Sequence, residues 1–292
     1  MAAPSRSERT RQTAASLRAR AQRLEERAQV ERSKHKSVDA AFELVDRDGE
    51  VAGGIIAGAL AYRFFIWLLP LALIAVAGLG IAAETADDSP EQAAESLGLS
   101  GLISNSIASA AESPNRWYAI AIGIPILLWT TRSLLRVLIA ANRLVWTDLR
   151  EAAPKPTLPS AVVLLVLLLA LLAVSALSSA VRAWSPGVGL VGLLLVAVPY
   201  AALWLLVSLR LPHRDAPWDA LLPGAVAFGI GVQLLQVFTA YVLEPWAINK
   251  QGTYGALGAA AALLFAIFLI SRLIVGAALL NATLWARRAR NA

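Results

Sequence analysis

Residues 158–183 read LPSAVVLLVLLLALLAVSALSSAVRA, with no charge before Arg182. A helix rises about 1.5 Å per residue, so roughly 20 apolar residues cross the roughly 30 Å of hydrocarbon in a bilayer, and this run is longer than that. Lipid offers no partner to backbone N–H and C=O groups, so a crossing segment must pair them internally, as a helix or as a strand of a closed barrel. Its apolar residues are continuous rather than alternating, which excludes the barrel. Five further stretches behave alike, giving spans near 60–83, 117–140, 158–183, 187–208, 219–243 and 256–280, and no Asp or Glu lies in the apolar core of any of them. The expected fold is an all-α polytopic membrane protein with six transmembrane helices.

An even number of crossings puts both termini on one side, and charge selects the side. Of the 26 Lys and Arg residues, eleven precede Val51, and Arg132, Arg136, Arg143, Arg150, Lys155, Arg210, Arg214, Arg287, Arg288 and Arg290 fall at ends that face the same way. The opposite side holds only Arg116, Arg182 and Lys250. The positive-inside rule therefore predicts cytoplasmic N- and C-termini. No apolar stretch or small-residue cleavage site precedes residue 50, so the first crossing helix is expected to act as the targeting signal. The abundance of Ala, Arg and Leu over Lys suits a GC-rich bacterial genome and a bacterial plasma (cytoplasmic) membrane.

Three parts follow: a basic cytoplasmic arm and juxtamembrane segment over 1–50, a membrane domain over 51–286, and a basic cytoplasmic tail over 287–292. Residues 1–36 carry ten basic and four acidic side chains and almost no large aliphatics, so they cannot bury a core. Such an arm is a solvated, fraying segment or touches anionic inner-leaflet lipid. The segment 84–116 is acidic, with Glu84, Asp87, Asp88, Glu91, Glu95 and Glu112 against Arg116, and forms the external loop. Leu97, Leu102, Ile103 and Ile107 recur there at near-helical spacing, consistent with a short surface helix. Its carboxylates fit no metal-loop spacing. Asp46, Arg47, Asp48, Gly49 and Glu50 carry only part of a calcium-loop pattern and read as a helix boundary.

Chemistry that needs a particular side chain is sparse. Cysteine is absent, only His35 and His213 could serve as imidazoles, and charged residues make up 16 % against the roughly 25 % usual for soluble proteins. No nucleophile, base and acid set, no metal-ligand cluster and no phosphate-cradling Gly loop is present, so neither an enzyme nor a cofactor is expected. The basic arm lacks the interleaved aromatics of a single-strand binder, so no specific nucleic acid is expected. What remains are arginines at membrane depth. Arg63 is the deepest of them, and Arg132, Arg136 and Arg272 lie toward the cytoplasmic ends of their spans, with no carboxylate at matching depth. An arginine at the bilayer centre costs about 2.5 kcal/mol or more. The four form a candidate belt for an anion or lipid headgroup; the alternative is that they snorkel to ordinary phospholipid. Pro70, Pro125, Pro199 and Pro223 interrupt spans and free backbone carbonyls, as in the broken helices of transporters. Gly53, Gly54, Ala57, Gly58 and Ala61 make a small face, for packing within one subunit or for a homo-oligomer contact.

Three groups of residues resemble the YihY/BrkB family of bacterial inner-membrane proteins over about 40–285. Ala59, Leu60, Ala61 and Tyr62 leading to Leu68, Leu69 and Pro70 are similar to the family's Ala-x-Ala-Tyr and Ser-Leu-Phe-Pro. Leu211-Pro212, Trp218-Asp219-Ala220 and Pro223-Gly224-Ala225 resemble its Leu-Pro, Trp-Arg-Asp-Ala and Pro-Gly-Ala series. Phe238 and Tyr241, followed by Thr253, Tyr254, Gly255, Ala256, Leu257 and Gly258, are close to its Tyr-Gly-Ser-Leu-Gly signature. Two positions depart from the pattern: Trp67 stands near the place of the Ser, and Leu279, ahead of Leu280-Asn281, stands where the family usually has Glu. The resemblance implies a six-helix plasma-membrane protein that handles an anionic or amphipathic substrate. A ribonuclease label attached to relatives finds no clustered carboxylates or histidines here.

These readings converge on a transporter-like or lipid-handling membrane protein, with membrane lipids and an anionic or amphipathic substrate as partners. The rival is a non-transporting scaffold that recruits partners through its charged arm and acidic outer loop.

Overall fold

The computed structural model describes residues 36–86, 116–147, 154–184, 189–239 and 244–291, with side chains described in 39–78, 81, 117–147, 154–177, 196–239 and 260–290. Among the described residues the secondary structure is entirely helical, in seven helices: α1 (Lys36–Glu50), α2 (Gly53–Ala86), α3 (Arg116–Val145), α4 (Leu158–Trp184), α5 (Gly189–Arg210), α6 (Trp218–Phe238) and α7 (Glu244–Asn291). The chain divides into two units, 1–50 and 51–292. The first contains α1, whose helical extent the hydropathy reading did not anticipate because 36–50 is too polar to register. Asp46–Glu50 forms its last turns, in agreement with a helix boundary at that point. The expected basic arm before Lys36 and the expected surface helix in the acidic loop lie outside the described residues.

In the second unit each helix packs on the next in the chain, and α7 packs back on α2. The six helices α2–α7 thus close into a ring, with α7 also touching α3. Five segments are long and apolar enough to cross a membrane: Gly53–Gly78, Trp117–Val145, Leu158–Leu177, Trp218–Phe238 and Ala260–Arg290. The expected crossing at 187–208 corresponds to α5, of which Val196–Arg210 is a shorter apolar helix. The other five expected spans each fall on one of the long segments, with ends shifted by up to a few turns.

The solvent these helices are built for is visible in what they expose. Ile55, Trp129, Val166, Leu177, Val198 and Leu234 are each more than half exposed, whereas Thr131, Gln233, Ser271, Asn281 and Thr283 are buried. Large apolar groups cover the outside as well as filling a mostly apolar interior, and several polar groups of the spans are turned inward, which suits a lipid surround. Small residues set the closeness of the helices: Ala57 and Ala61 are fully buried, and a Cβ on Gly229 would lie 2.5 Å from the Ala197 carbonyl oxygen. Trp204 of α5 stacks on Phe228 of α6 with centroids 4.2 Å apart, which fixes that pair against each other. Pro70, Pro125, Pro199 and Pro223 all lie inside continuous helices.

Candidate functional site

Trp67 sets the register between α2 and α3. Its indole Nε1–H donates to the Thr131 hydroxyl at 2.9 Å, and that hydroxyl in turn donates to the Leu127 carbonyl at 2.6 Å. Further along the same interface Gly123 meets Ile74, as antiparallel helices in this register require. Arg63, one turn before Trp67, therefore stands level with Leu135, between Arg132 and Arg136, to within about 6 Å along the axis. Leu138–Val145 of α3 and Ile274–Ala278 of α7 line a common small cavity, so Arg272 and Arg136 each fall just ahead of the same level. The four arginines share a level.

Their surroundings differ. Arg63 is half-buried, with its guanidinium carbon 5.8 Å from the centroid of the neighbouring Tyr62 ring. Arg132 is exposed and its Nε donates to the Pro156 carbonyl at 3.0 Å, so it faces the approach to α4 rather than α2. Arg136 is exposed and Arg272 half-buried. Neither the small cavity nor a larger basic cleft at the ends of α3 and α5 is lined by any of the four. The electrostatic condition that singled them out is plain in the helices that carry them. Glu84 is the sole acid of α2, 21 residues beyond Arg63, and α3 has none.

The small cavity measures about 10 Å³ and lies between α3, α5 and α7, beside the buried Asn142 and Ser208. This is about the least space a single water occupies. The cavity itself admits nothing larger.

The motif residues divide by role. Pro223 removes one N–H from α6, and at the next residue the Gly224 N–H donates to Asn281 Oδ1 of α7 at 2.7 Å. A Cβ at Gly224 would stand 2.3 Å from the Ala277 carbonyl oxygen, so only glycine permits this approach. Two residues 57 apart thus form one joint between α6 and α7. Ala61 and Pro70 are buried in the helix contacts of α2, and Tyr62 is 57 % exposed. Pro212 is half-buried after α5. Trp218 is 61 % exposed at the start of α6, and Asp219 beside it pairs with Arg288 of α7 at 3.2 Å, both side chains about half exposed. Such an exposed pair contributes little stability. Tyr254, Gly255 and Gly258 lie within α7, and their side chains are outside the described set. The two departures are both in the core: Trp67 is 3 % exposed and Leu279 is 1 % exposed.

Sequence reasoning passed over the interior amides. Gln236 Nε2 donates to the Tyr200 hydroxyl at 2.7 Å and lies 3.3 Å from Ser175 Oγ, joining α4, α5 and α6. Gln233, one turn earlier and 1 % exposed, has neither amide atom hydrogen-bonded. The polar letters in an otherwise apolar α6 were the available signal, since an amide in a membrane helix seeks a partner. Among the described residues no cluster of three or more His, Cys, Asp or Glu could hold a metal ion.

No curated protein and no solved structure matches the chain. The family model described as Virulence factor BrkB matches residues 49–292, which covers α2–α7 with the Pro223-Gly224 and Asn281 joint inside it. With its apolar helices and that match across most of its length, the chain is a multi-pass helical membrane protein and belongs to the BrkB family.

Proposed function

We propose that this protein resides in the bacterial plasma membrane as six crossing helices with both termini in the cytoplasm, and that it handles an anionic, amphipathic lipid-like substrate in the manner of a transporter. The observation that carries the reading is the common level of Arg63, Arg132, Arg136 and Arg272 in three mutually packed helices, of which α2 and α3 offer no carboxylate near that level. Charges kept at membrane depth are expensive, and for Arg63, Arg132 and Arg136 an anion from outside the chain is the natural counter-charge. The cavity beside Asn142 and Ser208 holds no more than a water, so passage by that route requires helices to move, and the proline-bearing α2, α3, α5 and α6 are where they would bend.

The test is exchange of a fluorescent phosphatidylglycerol between leaflets of proteoliposomes, read by quenching from one side. Wild-type protein is expected to speed exchange over protein-free vesicles, with Arg63→Ala and the Arg132→Ala, Arg136→Ala pair slowing it about tenfold. Exchange no faster than in empty vesicles counts against transport of that class and leaves the scaffold reading, which predicts loss of crosslinked partners when residues 1–36 are removed.

A further inference from the structure

The last turns of α3, residues 154–160 and the end of α5 enclose a cleft of about 530 Å³. That is within the range of small-ligand sites, roughly 300–1,000 Å³. Three cationic side chains line it, Arg143, Lys155 and Arg210, and no Asp or Glu is among its described lining residues. Arg143 is buried, while Lys155 and Arg210 are exposed.

Elements distant in the chain supply these charges, and local structure holds them in place. The segment 154–157 is pinned to α3 by the hydrogen bond from Arg132 to the Pro156 carbonyl. It then enters α4 through a reciprocal cap. The Thr157 N–H donates to Ser160 Oγ at 3.0 Å, and the Ser160 N–H donates to Thr157 Oγ1 at 3.4 Å. The start of α4 thereby turns the positive end of its peptide dipoles toward the same space. Leu135, Ile139 and Leu211 make the remaining wall apolar.

We propose that this cleft is a binding site for the phosphate group of an anionic amphiphile, with Arg143, Lys155 and Arg210 holding the phosphate oxygens and the apolar wall taking the adjoining hydrocarbon. Guanidinium groups match phosphate oxygens in paired hydrogen bonds, and an ammonium adds a point charge. Basic pockets between helix ends at a membrane surface are suited to lipid headgroups. None of the four arginines of the proposed transport path lines the site, and Arg132 alone among them touches it, through the Pro156 carbonyl. It rests on the membrane placement above but not on transport, so binding here and leaflet exchange can fail separately.

The experiment is native mass spectrometry of the full chain in detergent, titrated with phosphatidylglycerol, with phosphatidylcholine of the same acyl chains, and with inorganic phosphate. Wild type is compared with the Lys155→Gln, Arg210→Gln pair and with an equal-charge control, Arg288→Gln with Arg290→Gln. Both cleft residues are exposed, and an unchanged thermal unfolding midpoint verifies that the pair still folds. Selective retention of phosphatidylglycerol is expected in wild type and the control. It should weaken roughly thirtyfold in the cleft pair, about fivefold for each cation removed. Inorganic phosphate that binds in place of lipid, with the same sensitivity to the cleft pair, also supports the site and makes the source a soluble phosphate. Phosphatidylglycerol and phosphate bound equally by wild type, cleft pair and control would overturn it.

Discussion

Gly224 and Asn281 show how a single residue decides whether two membrane helices can meet. The Gly224 N–H is held by the Asn281 side chain, and the Ala277 carbonyl leaves no room for a Cβ. Gly224→Ala is therefore expected to destabilise the protein by about 1–3 kcal/mol, and a further Asn281→Ala change does not rescue it, because the blocking oxygen belongs to the backbone. Thermal unfolding in detergent, followed by tryptophan emission, reads this; a midpoint within error of wild type would sink the account. Trp67 is a milder case. Phenylalanine there keeps most of the packing and leaves Thr131 bonded to Leu127, so Trp67→Phe should cost about 1 kcal/mol, one net hydrogen bond. Leu279 is fully buried at the position where the family resemblance implies a Glu. Its neighbours have closed around an apolar side chain, and Leu279→Glu is expected to lower the yield of folded protein severely by burying an unpaired acid.

Among the elements, glycines separate helix faces that touch from faces that do not. Gly229 lies against the Ala197 carbonyl of α5, whereas Gly54 and Gly58 of α2 have no atom within 4 Å of a would-be Cβ. Gly229→Val should force α5 off α6, break the Trp204–Phe228 stack and destabilise by more than about 2 kcal/mol. Gly58→Ala should be neutral or stabilise by up to about 1 kcal/mol, since it removes only backbone freedom. A Gly58→Ala loss as large as that of Gly229→Val, in the same unfolding measurement, would mean that the open face of α2 is covered by a second copy. The small-residue stripe legible in the sequence is thus two faces: Ala57 and Ala61 are used inside the subunit, and Gly54 and Gly58 are left outside it. Their letters are equally small, so spacing alone could not separate them.

For the whole molecule, the absence of cysteine turns orientation into a clean measurement. With cytoplasmic termini, Trp117→Cys, whose site is 67 % exposed at the start of α3, should react with a membrane-impermeant thiol reagent in intact cells, and Arg290→Cys should react only after lysis. The reverse pattern would invert the topology. Membrane residence, helical class, the positions of five spans and the kinship with the BrkB family were legible in the chain, because lipid imposes a length and a composition on any segment that crosses it. α5 was legible as apolar, yet fewer of its described residues meet the length of a crossing. α1 was illegible, because a polar helix leaves no hydropathy signal. Arg132, Arg136 and Arg272 could be placed toward one end of their spans from segment ends alone, since rise per residue is fixed. Whether they converge could not, because azimuth depends on how neighbouring helices rotate against one another. Only the folded structure turned Arg132 toward Pro156, gathered Arg143, Lys155 and Arg210 around one cleft, and seated Asn281 on Gly224. The sequence by itself determined the solvent and the elements, since each is set by residues adjacent in the chain. The tertiary structure alone decided which polar groups meet, since that is set by packing between residues tens of positions apart.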